Sequence, residues 1–345
     1  MSWGKQGIYE QVINYPSVDR TGAPLVLSGK ISVPTARKPK GLILLPHYTI
    51  ASNNEVPSTS NTDEARYFRK DYVLVMPDYL GYGVTRDSVH PYLCGELTAK
   101  HCVDMLIAAI PLLDSLKVPL ETDTLCLVGF SQGAAVALWT LKLLEEQYAD
   151  RFYVKACYAG SGPYDVAATY DCAVQHNKVG MAMTIPQLVM GTSAAYGLGL
   201  KREVFFTPAM NKRYDKYITS KKYSFIVLGL LMADKKADHW LSAYGLDKTK
   251  PDSHRMYDGF LRSSLVHYPV DDSPVGSDTI CPAWTPRADV YVFHSERDDI
   301  VPFCNAEHLR RCLGDKPNVT CDYGKYGGHL SSKIKFFRIV SKLID

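Results

Sequence analysis

The sequence predicts an α/β protein: a mostly parallel, doubly wound sheet into which a long helical insertion is spliced. Three observations carry this. The runs GLILL at 41–45, YVLVM at 72–76 and LCLV at 125–128 are continuously apolar at strand length, as strands covered on both faces must be. Helical patterns alternate with the apolar runs, the order that builds a parallel sheet. Between the run ending at 159 and the one beginning at 289 lies far more chain than a connection uses, so that stretch must carry helices of its own.

Taken in order, the chain opens with two β-segments. Residues 9–18 and the alternating LVLSGKISV at 25–33 flank Asp19-Arg-Thr-Gly-Ala-Pro, and together they predict an antiparallel hairpin. The buried runs at 41–45 and 72–76 follow, then a helix over 98–116. The third run passes through GFSQG into AAVALWTLKLLEEQY, an apolar helix. YVKACYA at 153–159, DVYVFH at 289–294 and VTCDY at 319–323 are the remaining strands. The expected division is a core of residues 1–162 and 285–345 with a helical lid of residues 163–284. Helices are expected there over 185–195 and 223–233, with Gly191, Gly197 and Gly199 suited to a movable cover.

Composition works by exclusion. Hydrophobic residues are 46% and charged residues 22%, the balance of a globular protein. A formal charge of +3 leaves no basic stripe for nucleic acid, and the doublets Lys221-Lys222 and Lys235-Lys236 read as solvated faces. No window approaches the roughly 18 to 20 apolar residues of a membrane span. The opening MSWGKQGI has no apolar core of an export signal, so an exported location requires a signal already removed. Nine cysteines occur with no CxxC and no zinc-type spacing, so no metal is expected. Cys126 and Cys157 sit in strand-like runs as small hydrophobes. Cys94, Cys102, Cys281, Cys304, Cys312 and Cys321 stand where pairing is possible, with partners unassigned.

The chemistry is concentrated around one serine. Gly129-Phe-Ser131-Gln-Gly133 joins a buried strand to a helix, the layout of a nucleophile elbow, whose sharp turn needs small residues two before and two after the serine. The bare pentapeptide arises by chance in roughly one such chain in ten, so its context matters. A serine hydroxyl needs a base, and the base needs a carboxylate, in the chain order serine, acid, histidine. HSERDDIVP at 294–302 supplies Asp298, favoured by its spacing from Ile-Val-Pro, with Asp299 left to solvent or a helix cap and Asp165 a distant third. Only His308 and His329 follow that acid. His308 falls in a helical pattern and reads as a surface or capping residue, whereas His329 follows a strand and two glycines. The oxyanion donors expected are the backbone N–H groups of Gln132 and Thr49, with Tyr48 in reserve and His47 structural.

These residues resemble the α/β-hydrolase superfamily. GFSQG, Pro77-Asp-Tyr-Leu-Gly-Tyr-Gly83, His90-Pro-Tyr-Leu93 and the long insertion are similar to the secretory-lipase-like esterases, including uncharacterised bacterial members. Tyr48 departs from that pattern, standing where glycine usually follows the histidine. The resemblance implies hydrolysis of a small-molecule ester through an acyl-enzyme, with the insertion as lid. Asp78, Tyr79, Gly81 and Gly83 read as a strand end and turn, since the lone Gly-x-Gly lacks the rest of a dinucleotide fingerprint. The expected catalyst is a serine esterase with Ser131, His329 and Asp298 as its triad and no metal or organic cofactor. A prolyl- or aminopeptidase-type serine peptidase is the alternative, and a non-catalytic binding protein on the same scaffold the third reading.

Overall fold

The computed structural model describes residues 7–269 and 279–344; residues 1–6, 270–278 and 345, which belong to the expected core ends and insertion, lie outside the described residues. Eight strands form one sheet: β1 (Ile8–Val18), β2 (Pro24–Pro34), β3 (Leu42–Leu44), β4 (Val73–Pro77), β5 (Leu125–Phe130), β6 (Val154–Gly160), β7 (Asp289–Ser295) and β8 (Val319–Gly324). Their order is β1-β2-β4-β3-β5-β6-β7-β8. β1 and β2 form the expected antiparallel hairpin, β2 pairs antiparallel with β4, and every later pairing is parallel. At the hairpin turn the Asp19 carboxylate accepts from the backbone N–H of Thr21 and Ala23, which closes the loop.

Successive strand residues point to opposite faces, and each face owns a core. Helices α1 (Gly95–Ser115) and α2 (Gln132–Gln147) cover one face. There Leu42, Leu44, Val73, Val75, Leu125 and Leu127 meet Cys102, Leu106, Ala134 and Leu138. On the other face Ile43, Leu74, Cys126 and Val128 meet Phe336, Phe337 and Val340 of the last helix. Double coverage is why these strands show no polar alternation.

Between β6 and β7 the chain forms α3 (Val166–Gln175), α4 (Thr184–Tyr196), α5 (Arg202–Phe205), α6 (Pro208–Arg213), α7 (Phe225–Leu231), α8 (Ala237–Trp240), α9 (Ala243–Leu246) and α10 (Pro251–Ser263). These helices pack a third core around Val166, Ile185, Phe205, Phe225 and Phe260, which also takes in Tyr92 and Leu93 from the loop before α1. α11 (Cys304–Leu313) and α12 (His329–Leu343) complete the chain. Among the described residues no helix is long and apolar enough to cross a membrane.

The structure corrects two sequence expectations, for Lys221 and His308, and settles the cysteine pairing that the sequence left open. Lys221 is not a solvated lysine: its ammonium donates to the carbonyls of Gly81, Arg86 and Ser88, and burial pulls its pKa down to about 8. Of the cysteines open to pairing, Cys281 and Cys312 form a disulfide, while Cys94 and Cys102 are buried free thiols. His308 is buried rather than superficial, with Nδ1 2.7 Å from Asp165 Oδ2.

Phe336 is fully buried on α12 and lies against Phe130 of β5 and Phe293 of β7. Phe336→Ala is expected to destabilise the fold by about 3–5 kcal/mol through the cavity it leaves. The measurement is the urea midpoint at unchanged slope. A midpoint within error of the parent would contradict this packing.

Candidate active site

Ser131 sits between β5 and α2 with φ 57° and ψ −125°, a conformation that a residue with a Cβ adopts only when its surroundings impose it. The surroundings do. A Cβ on Gly129 would lie 2.1 Å from the Gly133 carbonyl oxygen, and one on Gly133 would lie 2.2 Å from that of Pro46. The glycines therefore let the elbow fold back on itself and let the loop after β3 press against it. Ser131 N–H donates to Gly160 O at 2.8 Å, fixing the turn to β6.

The acid and the imidazole arrive from β7 and α12. Asp298 Oδ1 accepts from the N–H groups of Ile300 and Val301 at 3.0 and 2.9 Å, which leaves Oδ2 for His329 Nδ1 at 2.7 Å. That is the physical content of the Asp-x-Ile-Val spacing. Burial pushes the Asp298 pKa upward, but the hydrogen bond and positive charge offered by His329 outweigh it and hold the acid below its ordinary value. Asp299 takes the other role foreseen for it, accepting from His329 N–H at 3.0 Å as a cap on α12. Asp165 lies elsewhere: it caps α3 and receives Nδ1 of both His267 and His308.

Ser131, His329, Tyr48 and Thr49 line one cavity of about 90 Å³, together with Phe130, Leu330, Lys333, Glu55 and Asp63. Phe225 and Ile226 of α7 close it from the insertion side. The Glu55 carboxylate accepts from Phe225 N–H and from the N–H groups of Ala51 and Ser52, so one side chain ties α7 to the loop after β3. Gln132 opens α2, where a helix's first N–H groups have no partner within it. His47 is buried and bonded to backbone carbonyls, with Nδ1 2.7 Å from Tyr48 O, and burial lowers its pKa. The Asp78–Gly83 turn is structural as expected: Asp78 accepts from Ser28 Oγ and Ser58 N–H. Among the described residues no group of three or more His, Cys, Asp or Glu side chains is placed to hold a metal ion.

Sequence reasoning overlooked His294 and Glu55, and it gave no role to His90 and Tyr92, whose side chains meet those of Gln132 and Thr49. His294 is fully buried beneath the acid, with Nε2 3.2 Å from Val301 O and 3.8 Å from Asp298 Oδ2, and burial drives its pKa down to about 4. Its only local signal was a histidine at the end of an apolar strand.

No protein-family model matches the chain. It is 27% identical over 247 residues to the secreted triacylglycerol lipase LIP5 of Malassezia furfur, an alignment covering 70% of this chain and 56% of that one. The chain thus spans little more than half the length of the curated relative it matches. Its fold is similar to that of LipA, a rice cell wall degrading esterase from Xanthomonas oryzae, at a TM-score of 0.75 and 20% identity, covering 99% of this chain and 90% of the other. It is also similar to Candida antarctica lipase A, at a TM-score of 0.67 and 14% identity over 95% of this chain and 74% of that one. Strand order, elbow and these likenesses together give the chain an α/β-hydrolase fold and a distant sequence similarity to the Malassezia lipase.

Proposed function

We propose that the chain is a serine hydrolase of carboxylic esters, with Ser131 as nucleophile, His329 as base and Asp298 as its orienting acid. The observation that carries the reading is the 2.7 Å bond between His329 Nδ1 and Asp298, made at a cavity that Ser131 also lines. With Nδ1–H donated to the acid, Nε2 is left as the basic nitrogen. It takes the Ser131 proton as Oγ attacks the ester carbonyl and returns that proton to the departing alcohol; water then repeats the cycle on the acyl-enzyme. The N–H groups of Gln132 and Thr49 face the oxygen on which charge develops.

Two features favour an apolar ester over a peptide. The cavity wall is dominated by Phe130, Phe225, Ile226 and Leu330, and at about 90 Å³ it suits a short acyl group. On α7, which we assign to a lid within residues 163–284, Ile226 lines the cavity yet is 68% exposed, and Leu230 is 76% exposed. The disulfide Cys281–Cys312 and the secreted relative support an oxidising, extracellular location.

Ser131→Ala is expected to lower kcat on p-nitrophenyl acetate by about 10⁶ and to abolish fluorophosphonate labelling. Retained turnover in that variant rejects the assignment, and a large preference for peptide anilides rejects the ester class. The two acidic neighbours separate in a second experiment. Asp298→Asn should cost about 10⁴ in kcat, whereas Asp299→Ala, which loses a cap and an exposed ion pair with Lys235, should cost about 1 kcal/mol of stability and far less rate.

Asp298 also predicts an acid limb in stability. Its folded pKa lies below the unfolded value of about 3.9, so its contribution is complete above that value and is lost as pH falls through the folded one. Stability of the parent chain should therefore fall more steeply below about pH 4 than that of Asp298→Asn. Parallel curves from denaturant titrations would refute the ionised, paired acid.

A further inference from the structure

Gln132 and Thr49 each send a side chain to the same loop. Gln132 Nε2 donates to His90 Nε2 at 2.7 Å, and Thr49 Oγ1 shares a hydrogen bond with Tyr92 OH at 2.8 Å. All four residues are buried, none more than 6% exposed. His90 and Tyr92 are separated only by Pro91, in the connection between β4 and α1. We infer that the His90-Pro91-Tyr92 loop is the positioning element of the oxyanion hole, holding the elbow donor through His90 and the β3-loop donor through Tyr92. This rests on the assignment of Gln132 and Thr49 as donors made above.

The chemistry of the first bond has one solution. An amide nitrogen only donates, so His90 Nε2 must be the unprotonated nitrogen of a neutral ring. Nδ1 then carries the hydrogen and donates to Leu80 O at 2.7 Å, where only an acceptor waits. Turning the Gln132 amide over would need a proton on Nε2 as well and hence a charged imidazole. Burial forbids that, lowering the His90 pKa to about 3. The relay Leu80 O, His90, Gln132 is therefore directional.

The loop itself has little freedom. The His90 ring stacks on Tyr79 at 5.8 Å with 5° between the planes. A Cβ on Gly81 would come within 2.6 Å of His90 Cα, and one on Gly191 of α4 within 2.6 Å of Tyr92 N. Pro91 fixes its own φ between the two anchors. Donors to a developing charge are effective only when held within roughly 0.5 Å of the working geometry, and a loop clamped on both sides supplies that constraint to two donors from different strands.

The test uses p-nitrophenyl acetate turnover and fluorophosphonate labelling of the full chain. A parent chain that neither turns over nor labels overturns the hydrolase reading, and the positioning role with it. Where the parent is active and Ser131→Ala is not, Tyr92→Phe removes only the hydroxyl. It should lower kcat about 5- to 20-fold with KM changed by less than about 2-fold. Thr49→Val should do the same, and the double variant should be no slower than either single one. His90→Phe, which keeps a ring of similar shape, and Gln132→Met should each lower kcat about 10- to 100-fold and likewise fail to add. Should His90→Phe not fold, the Tyr92 and Thr49 cycle decides alone. A nitrogen-15 spectrum should report His90 as the neutral Nδ1–H tautomer from about pH 5 to pH 8, with Nε2 displaced in Gln132→Met. Unchanged kcat in folded Tyr92→Phe, additive losses, or the Nε2–H tautomer overturns the inference.

Discussion

At Ser131 the backbone stands at a positive φ that costs a residue with a side chain about 1–3 kcal/mol. It persists because the packing around it leaves no relaxed alternative. The close approach of Gly133 to Pro46 is the decisive part, since it joins the elbow at the end of β5 to the loop after β3. Neither can shift without the other. The serine, the first turn of α2 and the residues around Thr49 thus behave as one rigid body, and the imidazole reaches it from α12, whose own core residues pack beneath β5.

Around that body the protein uses buried histidines as scaffolding. His47, His90 and His294 are all driven toward the neutral form, first of all by burial, and each is hydrogen-bonded to a backbone carbonyl. A neutral imidazole can receive on one nitrogen and donate from the other, and His90 does both, linking the Gln132 amide to the Leu80 carbonyl in a dry interior without a buried charge. His329 differs in its partner: its Nδ1 faces a carboxylate.

Much of this was legible in the residues. Continuous apolar runs gave away strands covered twice, and the glycines at 129 and 133 announced a turn without room for side chains, which the Pro46 and Gly133 carbonyls account for. Asp298 could be preferred to Asp299 because the N–H groups that hold its second oxygen lie two and three residues on. What escaped was everything settled by distant chain. His308 lies in a helical pattern that looks superficial, yet α3 and the segment after α10 bury it against Asp165. Lys221 looks solvated until three carbonyls from 81 to 88 surround it. Local periodicity records which side of an element is apolar, not which remote segment will arrive to satisfy a polar group.

That lysine has a mechanical consequence. With its ammonium anchored among the carbonyls of Gly81, Arg86 and Ser88, and the Lys235 carbonyl held by Val179 N–H, the stretch from 222 to 234 is held at both ends, and between them Phe225, Leu228 and Met232 are buried. α7 lies within that stretch, fastened at its start by Glu55. Baring the cavity from that side would mean parting Glu55 from the Phe225 N–H and also drawing Phe225 and Leu228 out of the insertion's own core.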